Sequence, residues 1–181
     1  DLAGAEVAFL VANEGAEQVE LTEPWQVVEK AGGRPVLVAP QGGDAQAFDH
    51  LDKAERFAVD LVVADADVGR FAALVLPGGV ANPDLLRTHE PAVRFAGSFF
   101  DAGKPVAAIC HAAWTLIEAG VVRGRRLTSW PSLQTDLRNA GAEWVDEQVV
   151  VDTNGPNTLV TSRKPADLPA FTDALLAQLG T

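Results

Sequence analysis

Cysteine and histidine are rare in this sequence, which has one cysteine and three histidines among 181 residues. A single cysteine cannot form a disulfide within the chain and is typical of a reducing compartment, so a cytoplasmic location is expected. Neither His-x-x-x-His nor Cys-x-x-Cys occurs, although zinc sites are commonly built on such spacings. The sequence therefore predicts no metal site, and it contains no motif for a cofactor.

Positive charge is also scarce, because 14 Lys and Arg stand against 25 Asp and Glu, a formal net charge of −11. Nucleic acids and anionic membranes attract clustered Lys and Arg, so neither is expected as a partner. No apolar run approaches the ~20 residues of a membrane-spanning helix, and no secretory leader pattern is visible. The chain has 48% hydrophobic residues and a length that predicts one globular domain over residues 1–181.

Short apolar runs alternate with helical patterns along the chain. Runs of strand length occur at 6–12, 34–40, 72–77, 106–109, 149–151 and 158–162. Helical patterns cover 17–31, 91–102, 114–119, 132–140 and 165–179, and Pro24 is expected to kink or break the first of them. A turn-rich cluster between the last two strands predicts that they pair antiparallel. This order predicts an α/β three-layer sandwich with a mainly parallel sheet. Residues 55–60 are expected to form a short hairpin arm at one edge.

The only cysteine, Cys110, lies where the strand run at 106–109 passes directly into a helical pattern. Such a turn lifts a side chain out of the sheet and aims it near the helix N-terminus, where unpaired N–H groups favour a thiolate. A lone cysteine after an apolar strand is about as commonly a small buried hydrophobic residue. The adjacent His111 can act as a base near neutral pH, and it favours the interpretation of Cys110 as a nucleophile.

Several other features converge on the same edge of the sheet. In open α/β sheets, ligands bind at the carboxyl ends of the strands, and three such ends carry glycine, acid or nucleophile, at 13–17, 77–84 and 110–111. No histidine follows His111, which excludes papain-like and glutamine-amidotransferase triads, and the Gly-x-Ser-x-Gly motif of serine hydrolases is absent. What remains is a Cys–His pair with a carboxylate supplied from elsewhere in the fold.

Several motifs, in one order along the chain, resemble the PfpI family. They are Gly-Ala-Glu at 15–17, Leu-Pro-Gly-Gly at 76–79, Ala-Ile-Cys-His at 108–111, Thr-Ser-Trp-Pro at 128–131, Asn-Ala-Gly-Ala-Glu-Trp-Val-Asp at 139–146 and Ser-Arg-Lys-Pro-Ala-Asp-Leu at 162–168. That family belongs to the superfamily of the parkinsonism-associated protein deglycase. The resemblance implies a flavodoxin-like, class I glutamine amidotransferase-like sandwich with a nucleophile-elbow cysteine.

The resemblance also implies a role for four side chains. Cys110 matches the nucleophilic, oxidation-prone cysteine, and His111 matches the triad histidine. Glu17 matches the acid whose carboxyl group lies beside the sulfur. Asp84 stands where relatives carry a glutamate, one methylene longer, that is supplied across a subunit interface. The resemblance thus implies a homodimer, or a hexamer, with Asp84 near a subunit interface.

Four further positions are expected to shape the pocket. Gly78 and Gly79 form the tight turn, and the Gly79 N–H together with the amide after the cysteine would form an oxyanion hole. Ala112 replaces the glycine that usually follows Cys-His, and it is expected to reduce the backbone room at the elbow. Trp130 stands where an aromatic residue, commonly Tyr, is usual, and is expected to wall the pocket.

Two functional hypotheses follow from the resemblance. The first is a stress-response cysteine hydrolase that acts on glyoxal-type adducts of protein or nucleotide, or on free 2-oxoaldehydes. Peptidase is the traditional label of the family and ranks below deglycase. The second is a non-enzymatic sensor of oxidative stress, or a stress chaperone, in which Cys110 is oxidised to a sulfinate that Glu17 stabilises.

Overall fold

The computed structural model describes residues 1–180 of the chain. Seven strands form the central sheet: β1 (Glu6–Leu10), β3 (Arg34–Ala39), β6 (Leu61–Val62), β7 (Ala73–Leu76), β8 (Val106–Ile109), β11 (Val150–Asp152) and β12 (Leu159–Ser162). Their order is β11-β12-β8-β7-β1-β3-β6. β11 runs antiparallel to β12, whereas the other neighbouring pairs are parallel. Both the mainly parallel sheet and the antiparallel pair are therefore confirmed.

Two smaller sheets lie outside the central one. β2 (Glu14–Glu17), β4 (Asp44–Asp49) and β5 (Asp52–Ala58) form a three-stranded sheet in the order β2-β4-β5, and β9 (Arg126–Leu127) pairs with β10 (Glu143–Trp144). The sequence predicted only a hairpin arm near 55–60. The full hairpin was missed because β5 has no buried residue among its seven, so its sequence lacks the alternation that marks a strand.

Six α-helices cover the sheet: α1 (Gln18–Lys30), α2 (Ala81–Leu86), α3 (Glu90–Asp101), α4 (Ala113–Glu118), α5 (Gln134–Asn139) and α6 (Leu168–Gln178). α1 continues through Pro24 without a break, so a break at this proline was a wrong prediction. Pro24 is buried on the face that also carries Leu21 and Val28, and this packing offsets the hydrogen bond that proline cannot donate. No helix among residues 1–180 has both the length and the apolar character needed to span a membrane.

Alternate residues of the strands face opposite layers, which gives the three-layer sandwich. Ala8 and Leu10 of β1 belong to a core that includes the phenylalanines of α3. Val7 and Phe9 belong to the core on the other face, where Phe9 packs against Trp25 of α1 with ring centroids 5.1 Å apart. The inner strands β1, β3, β7, β8 and β12 are largely buried on both faces, as parallel strands between two helical layers must be.

The strand register positions the candidate site. In the adjacent strands β7 and β8, Leu76 pairs with Ala108, so the segments after both strands leave the sheet at the same edge. Pro77-Gly78-Gly79 follows β7, and Cys110 follows β8. β2 and α1 follow β1, which lies on the other side of β7. The three segments singled out in the sequence therefore meet at the carboxyl edge.

Candidate active site

Cys110 lies on a tight turn between strand and helix. β8 ends at Ile109, a 3-10 turn covers Cys110–Ala112, and α4 follows directly. The backbone of Cys110 has a φ of 63°, in the left-handed region, which costs a residue with a side chain on the order of 1–3 kcal/mol. Trp130 N–H donates a hydrogen bond to the Cys110 carbonyl at 3.0 Å and helps to hold this conformation. The fold therefore maintains a strained backbone at Cys110, and this conformation holds the thiol in one orientation.

Polar groups surround the sulfur. Cys110 Sγ lies 3.1 Å from His111 Nδ1. The backbone N–H groups of Gly79 and His111 both donate toward the sulfur, and the Glu20 carboxyl group interacts with the thiol. Cys110 is only 7% exposed, so these contacts form in a site that is largely shielded from water.

Burial shifts the pKa of this thiol. Removal from water raises the pKa of Cys110 well above its ordinary value, and the charge of Glu20 raises it further. The amide donors of Gly79 and His111 act in the opposite direction but do not compensate. Burial therefore opposes the thiolate that the helix N-terminus was expected to favour, and the ionisation of Cys110 stays a prediction.

Glu20 is the buried acid of the site. It has 0% exposure, its Oε1 accepts a hydrogen bond from Gly78 N–H at 3.0 Å, and its Oε2 has no hydrogen-bonding partner among residues 1–180. Burial, with a further contribution from the charge of Glu17, raises the pKa of Glu20 to about 8. Glu20 is therefore protonated at neutral pH, and its carboxyl group can donate a hydrogen bond.

Glu17, which was expected beside the sulfur, is held elsewhere. Its Oε1 and Oε2 each accept a hydrogen bond from the backbone N–H of His50 at 3.1 Å, and Oε1 lies 3.5 Å from His50 Nδ1. Glu17 ends β2, which pairs with β4, so its side chain reaches the β4–β5 turn. The first turn of α1 instead carries Glu20 over Gly78. The acid in contact with the thiol is Glu20, and the expectation for Glu17 is corrected accordingly.

A pattern in the sequence could have identified Glu20. Positions 20, 24 and 28 lie on one face of a helix, and this face of α1 is buried. An acidic residue on an otherwise apolar helix face is an informative signal, because a buried carboxyl group needs a reason to be there. Sequence reasoning missed it because Glu17 was assigned by its motif alone.

Gly78 and Gly79 allow the segments to approach closely. A Cβ on Gly78 would lie 2.5 Å from Glu20 Oε1 and 2.6 Å from Cys110 Cβ. Gly79 has a φ of 85°, and a Cβ there would collide with the carbonyl oxygen of Gly15. Ala112, by contrast, has a φ of −56° and a ψ of −25°, which suit any residue. The alanine in place of glycine therefore imposes no backbone strain on the elbow.

The His111 ring lies between two indoles. Trp130 stacks on it, with centroids 5.6 Å apart and an interplanar angle of 22°, and Trp114 meets it edge-on at 5.2 Å. Burial lowers the pKa of His111, so its ring is neutral at pH 7 and can accept a proton. Trp130 also lines the cavity above the thiol, while the contact with Trp114 was not anticipated from the sequence.

Asp84 lies apart from the other site residues. It is exposed in α2 and makes no hydrogen bond or ion pair with His111 among residues 1–180. Within one chain, therefore, Asp84 does not supply the carboxylate that was expected to complete a triad with Cys110 and His111. A contact from a second subunit stays a prediction.

A cavity of about 170 Å³ opens above the thiol. Its lining comprises Glu17, Glu20, His50, Leu51, Gly79, Val80, Cys110, His111, Trp130 and Pro165. Glu17, Asp49 and His50 bring potential metal-ligand atoms within 4.8 Å of one another. However, Glu17 and Asp49 face different ring nitrogens of His50, at 3.5 and 3.8 Å. The side chains of Asp49 and His50 are 79% and 81% exposed, and exposed groups of this kind commonly lie together without an ion.

Comparisons with known proteins agree with this geometry. The model of the DJ-1/PfpI family matches residues 5–178. Deglycase PH1704 of Pyrococcus horikoshii is 44% identical over 165 residues, which are 91% of this chain and 93% of that protein. Protein/nucleic acid deglycase 2 of Escherichia coli is 40% identical over 174 residues, 96% of this chain and 97% of that protein. A Bacillus subtilis relative, 38% identical over 91% of this chain and 92% of its own, is named putative cysteine protease YraA.

A solved structure gives the same result for the fold. A two-domain Anabaena variabilis protein with DJ-1/ThiJ/PfpI-like and ferritin-like domains superposes with a TM-score of 0.89 and 34% identity. The match covers 97% of this chain and 48% of that protein. The family model, the relatives and the fold all agree with the resemblance noted in the sequence, and the chain belongs to the DJ-1/PfpI family.

Proposed function

We propose that this chain is a cysteine-dependent hydrolase of the deglycase type. Its substrates are carbonyl adducts that 2-oxoaldehydes leave on protein or nucleotide, together with free 2-oxoaldehydes. The observation that carries the proposal is the Cys110 thiol at the floor of a cavity, 3.1 Å from a neutral imidazole nitrogen and facing two amide donors. The names of the relatives from Pyrococcus horikoshii and Escherichia coli support the same substrate class.

The first step is attack by Cys110 on the carbonyl carbon. His111 Nδ1 accepts the thiol proton while the new C–S bond forms, and the carbonyl π electrons move to oxygen. The N–H groups of Gly79 and His111 stabilise the resulting oxyanion. In an aminocarbinol adduct, loss of the hydroxyl proton first re-forms the C=O bond, the C–N electrons leave with the amine, which takes up that proton, and Cys110 attacks the carbonyl carbon so freed. A hydrogen shift from this carbon to the adjacent carbonyl carbon converts the hemithioacetal into a thioester, which water hydrolyses to a 2-hydroxy acid and the free Cys110 thiol. Because His111 is neutral, it is ready to act as the base.

Glu20 supports this step as a neutral acid. With a pKa of about 8 it keeps its proton at pH 7, and its carboxyl group interacts with the thiol, where charge develops during the reaction. A carboxylic acid donates a hydrogen bond to that charge, whereas a carboxylate would repel it. The role assigned to Glu17 by its motif therefore passes to Glu20.

The proposal is tested by the disappearance of free methylglyoxal. The wild-type chain should consume methylglyoxal, and Cys110→Ser should lose this activity, since an alcohol is a far weaker nucleophile than a thiol beside the same base. Equal turnover by the two proteins would end the covalent mechanism. Cleavage of an unmodified peptide, without consumption of methylglyoxal, would instead support the protease name of the Bacillus subtilis relative.

A second candidate function uses the same contacts. Oxidation of Cys110 to a sulfinate, as in a sensor of oxidative stress, would place oxygens near the amides of Gly79 and His111 and near Glu20. Mass spectrometry after mild peroxide treatment tests this. Glu20→Gln should alter how readily Cys110 gains two oxygens, and Glu17→Gln should do so less. Equal oxidation in wild type and Glu20→Gln would discard the sensor.

Self-association is also part of the proposal. Leu85, which follows Asp84 in α2, is 42% exposed and does not line the Cys110 cavity, so this face carries uncovered apolar surface. A homodimer that buries it would place Asp84 at the interface, within a cytoplasm that keeps Cys110 reduced. Sedimentation of wild type and Leu85→Asp tests this, because the variant should dissociate; a wild-type monomer would contradict it.

A further inference from the structure

The β4–β5 turn lies at the mouth of the Cys110 cavity. Asp49 pairs with Asp52 at the end of this hairpin, so His50 and Leu51 are its two central residues. Both of these side chains line the cavity. The turn belongs to the small polar sheet, outside the central sheet that carries the thiol. A separate element therefore forms part of the cavity wall.

The β4–β5 turn has a strained backbone at His50 and is held by hydrogen bonds to Glu17. His50 has a φ of 56°, although a two-residue hairpin normally places glycine at a first central position with positive φ. Its backbone N–H, which such a turn leaves unpaired, donates to both carboxylate oxygens of Glu17 at 3.1 Å. Glu17 is itself buried, with its side chain only 10% exposed. The contact between Glu17 and the His50 amide thus fixes where the turn lies.

Apolar side chains are concentrated at this mouth. Among residues 1–180, the exposed large hydrophobic side chains are Val19, Leu51, Val80, Leu85, Trp130 and Val151. Three of these, Leu51, Val80 and Trp130, line the Cys110 cavity. Leu51 is 93% exposed, so within the chain it packs against almost nothing. We call Leu51, Val80 and Trp130 the apolar rim.

The size of the cavity explains why a rim would matter. The cavity, of about 170 Å³, is smaller than the ~300–1,000 Å³ of typical ligand pockets. A small carbonyl group fits inside, and a larger substituent on that group must lie against the rim. The rim is apolar, so it favours an apolar substituent.

We propose that Glu17 is a positioning residue that holds the β4–β5 turn, so that Leu51 and the rest of the apolar rim select substrates with an apolar substituent on the carbonyl unit. This inference rests on the proposed function, which defines the substrates. Glu17 acts by positioning the turn through the His50 amide, whereas Glu20 contacts the thiol itself. The favoured substrates are 2-oxoaldehydes or adducts with an alkyl or aryl group, over glyoxal itself.

The test measures alkylation of Cys110, which needs no turnover. Iodoacetamide and N-benzyl iodoacetamide carry the same reactive carbon, and the second adds an apolar group. For each protein, the ratio of the N-benzyl rate to the iodoacetamide rate reports selection by the rim. Val151→Ser is the matched control, because Val151 is an exposed valine on β11 that does not line the cavity.

Three variants separate the possible roles. Leu51→Ser should lower the ratio by about fourfold, the value for one buried methylene group, and Val151→Ser should leave it unchanged. Glu17→Ala should lower the ratio as Leu51→Ser does, because the turn is released. Glu17→Gln should keep the ratio near that of wild type, because its amide oxygen can still accept the His50 N–H.

Each alternative gives a different result. An unchanged ratio in Leu51→Ser, a folded variant of an exposed turn, would overturn the selection by the rim. Equal ratios in Glu17→Ala and wild type, or equal losses in Glu17→Ala and Glu17→Gln, would overturn the positioning role, since charge alone would then be at work. Failure of the protein to consume methylglyoxal would count against the proposed function and leave the alkylation ratios to decide the inference.

Discussion

At the scale of single residues, the chemistry of the site depends on which carboxyl group lies next to the Cys110 sulfur. Glu17 and Glu20 are three positions apart, and both line the cavity. One accepts hydrogen bonds from the His50 amide, and the other is fully buried against Gly78 and the thiol. Burial raises the pKa of Glu20 to about 8, so the hydrogen bonds and burial of each carboxyl group, and not its residue type, decide its part in the site.

The raised pKa of Glu20 makes stability depend on pH. The folded chain holds this proton up to about pH 8, whereas an unfolded glutamate releases it near pH ~4.3. The stability from the proton is complete below the unfolded pKa and is lost as the pH rises through about 8. From pH 5 to pH 9 the free energy of unfolding should therefore fall, by on the order of 1.4 kcal/mol for each unit of pKa difference.

Urea denaturation of variants across this pH range checks the assignment. Glu20→Gln should show a flatter dependence on pH than wild type, because glutamine has no proton to lose. Glu23→Gln, on the exposed face of the same helix, should follow wild type. Parallel curves for wild type and Glu20→Gln would show that Glu20 does not titrate as described.

At the scale of elements, the site depends on tight turns that end the central strands. Gly79 follows β7 and has both a positive φ and no room for a Cβ, whereas Gly124 has a similar φ of 77° and nothing within 4 Å. Both Gly→Ala changes cost the strain of a left-handed backbone, about 1 kcal/mol. Gly79→Ala also forces backbone atoms apart, so it should lower the free energy of unfolding by ~2 kcal/mol more.

Chemical denaturation of Gly79→Ala and Gly124→Ala measures this difference. The pKa of Cys110 should also rise in Gly79→Ala, because displacement of the Gly79 amide removes a hydrogen-bond donor that lowers this pKa. A Gly79→Ala protein as stable as Gly124→Ala would contradict the close approach of the Gly78-Gly79 turn to β2.

The sequence could predict the elements that are apolar on both faces. β1, β3, β7 and β8 were identified because parallel strands between two helical layers are continuous hydrophobic runs. The β4–β5 hairpin and α2 were missed, because the hairpin is half-exposed and α2 has only six residues, with Pro83 among them. Motifs located Cys110 and the glycines, but contacts between elements decided the positions of Glu17 and Glu20.

At the scale of the whole molecule, a buried cation ties the far end of the sheet together. Arg125 is 3% exposed and bonds to Asp152 and to both the side chain and the carbonyl of Asn157. Asn157 in turn donates to the Lys104 carbonyl, just before the strand that leads to Cys110. This network therefore joins β11 and the 153–157 loop to the base of β8.

Neighbouring arginines give a matched test of this network. Arg125→Ala leaves the buried Asp152 carboxylate without its counter-ion and should cost about 3–5 kcal/mol of unfolding free energy. Arg126→Ala breaks only an ion pair with Glu147 whose side chains are 45% and 50% exposed, and should cost at most ~1 kcal/mol. Similar thermal or chemical stability of the two variants would contradict a structural role for the buried pair.

The release of free amine from a methylglyoxal-modified lysine peptide tests the role of Cys110 most directly. The wild-type protein should release amine with time, and Cys110→Ser at the same concentration should release none above the rate without protein. Release of amine by Cys110→Ser at the wild-type rate would contradict the account, because the sulfur would then take no part in the reaction.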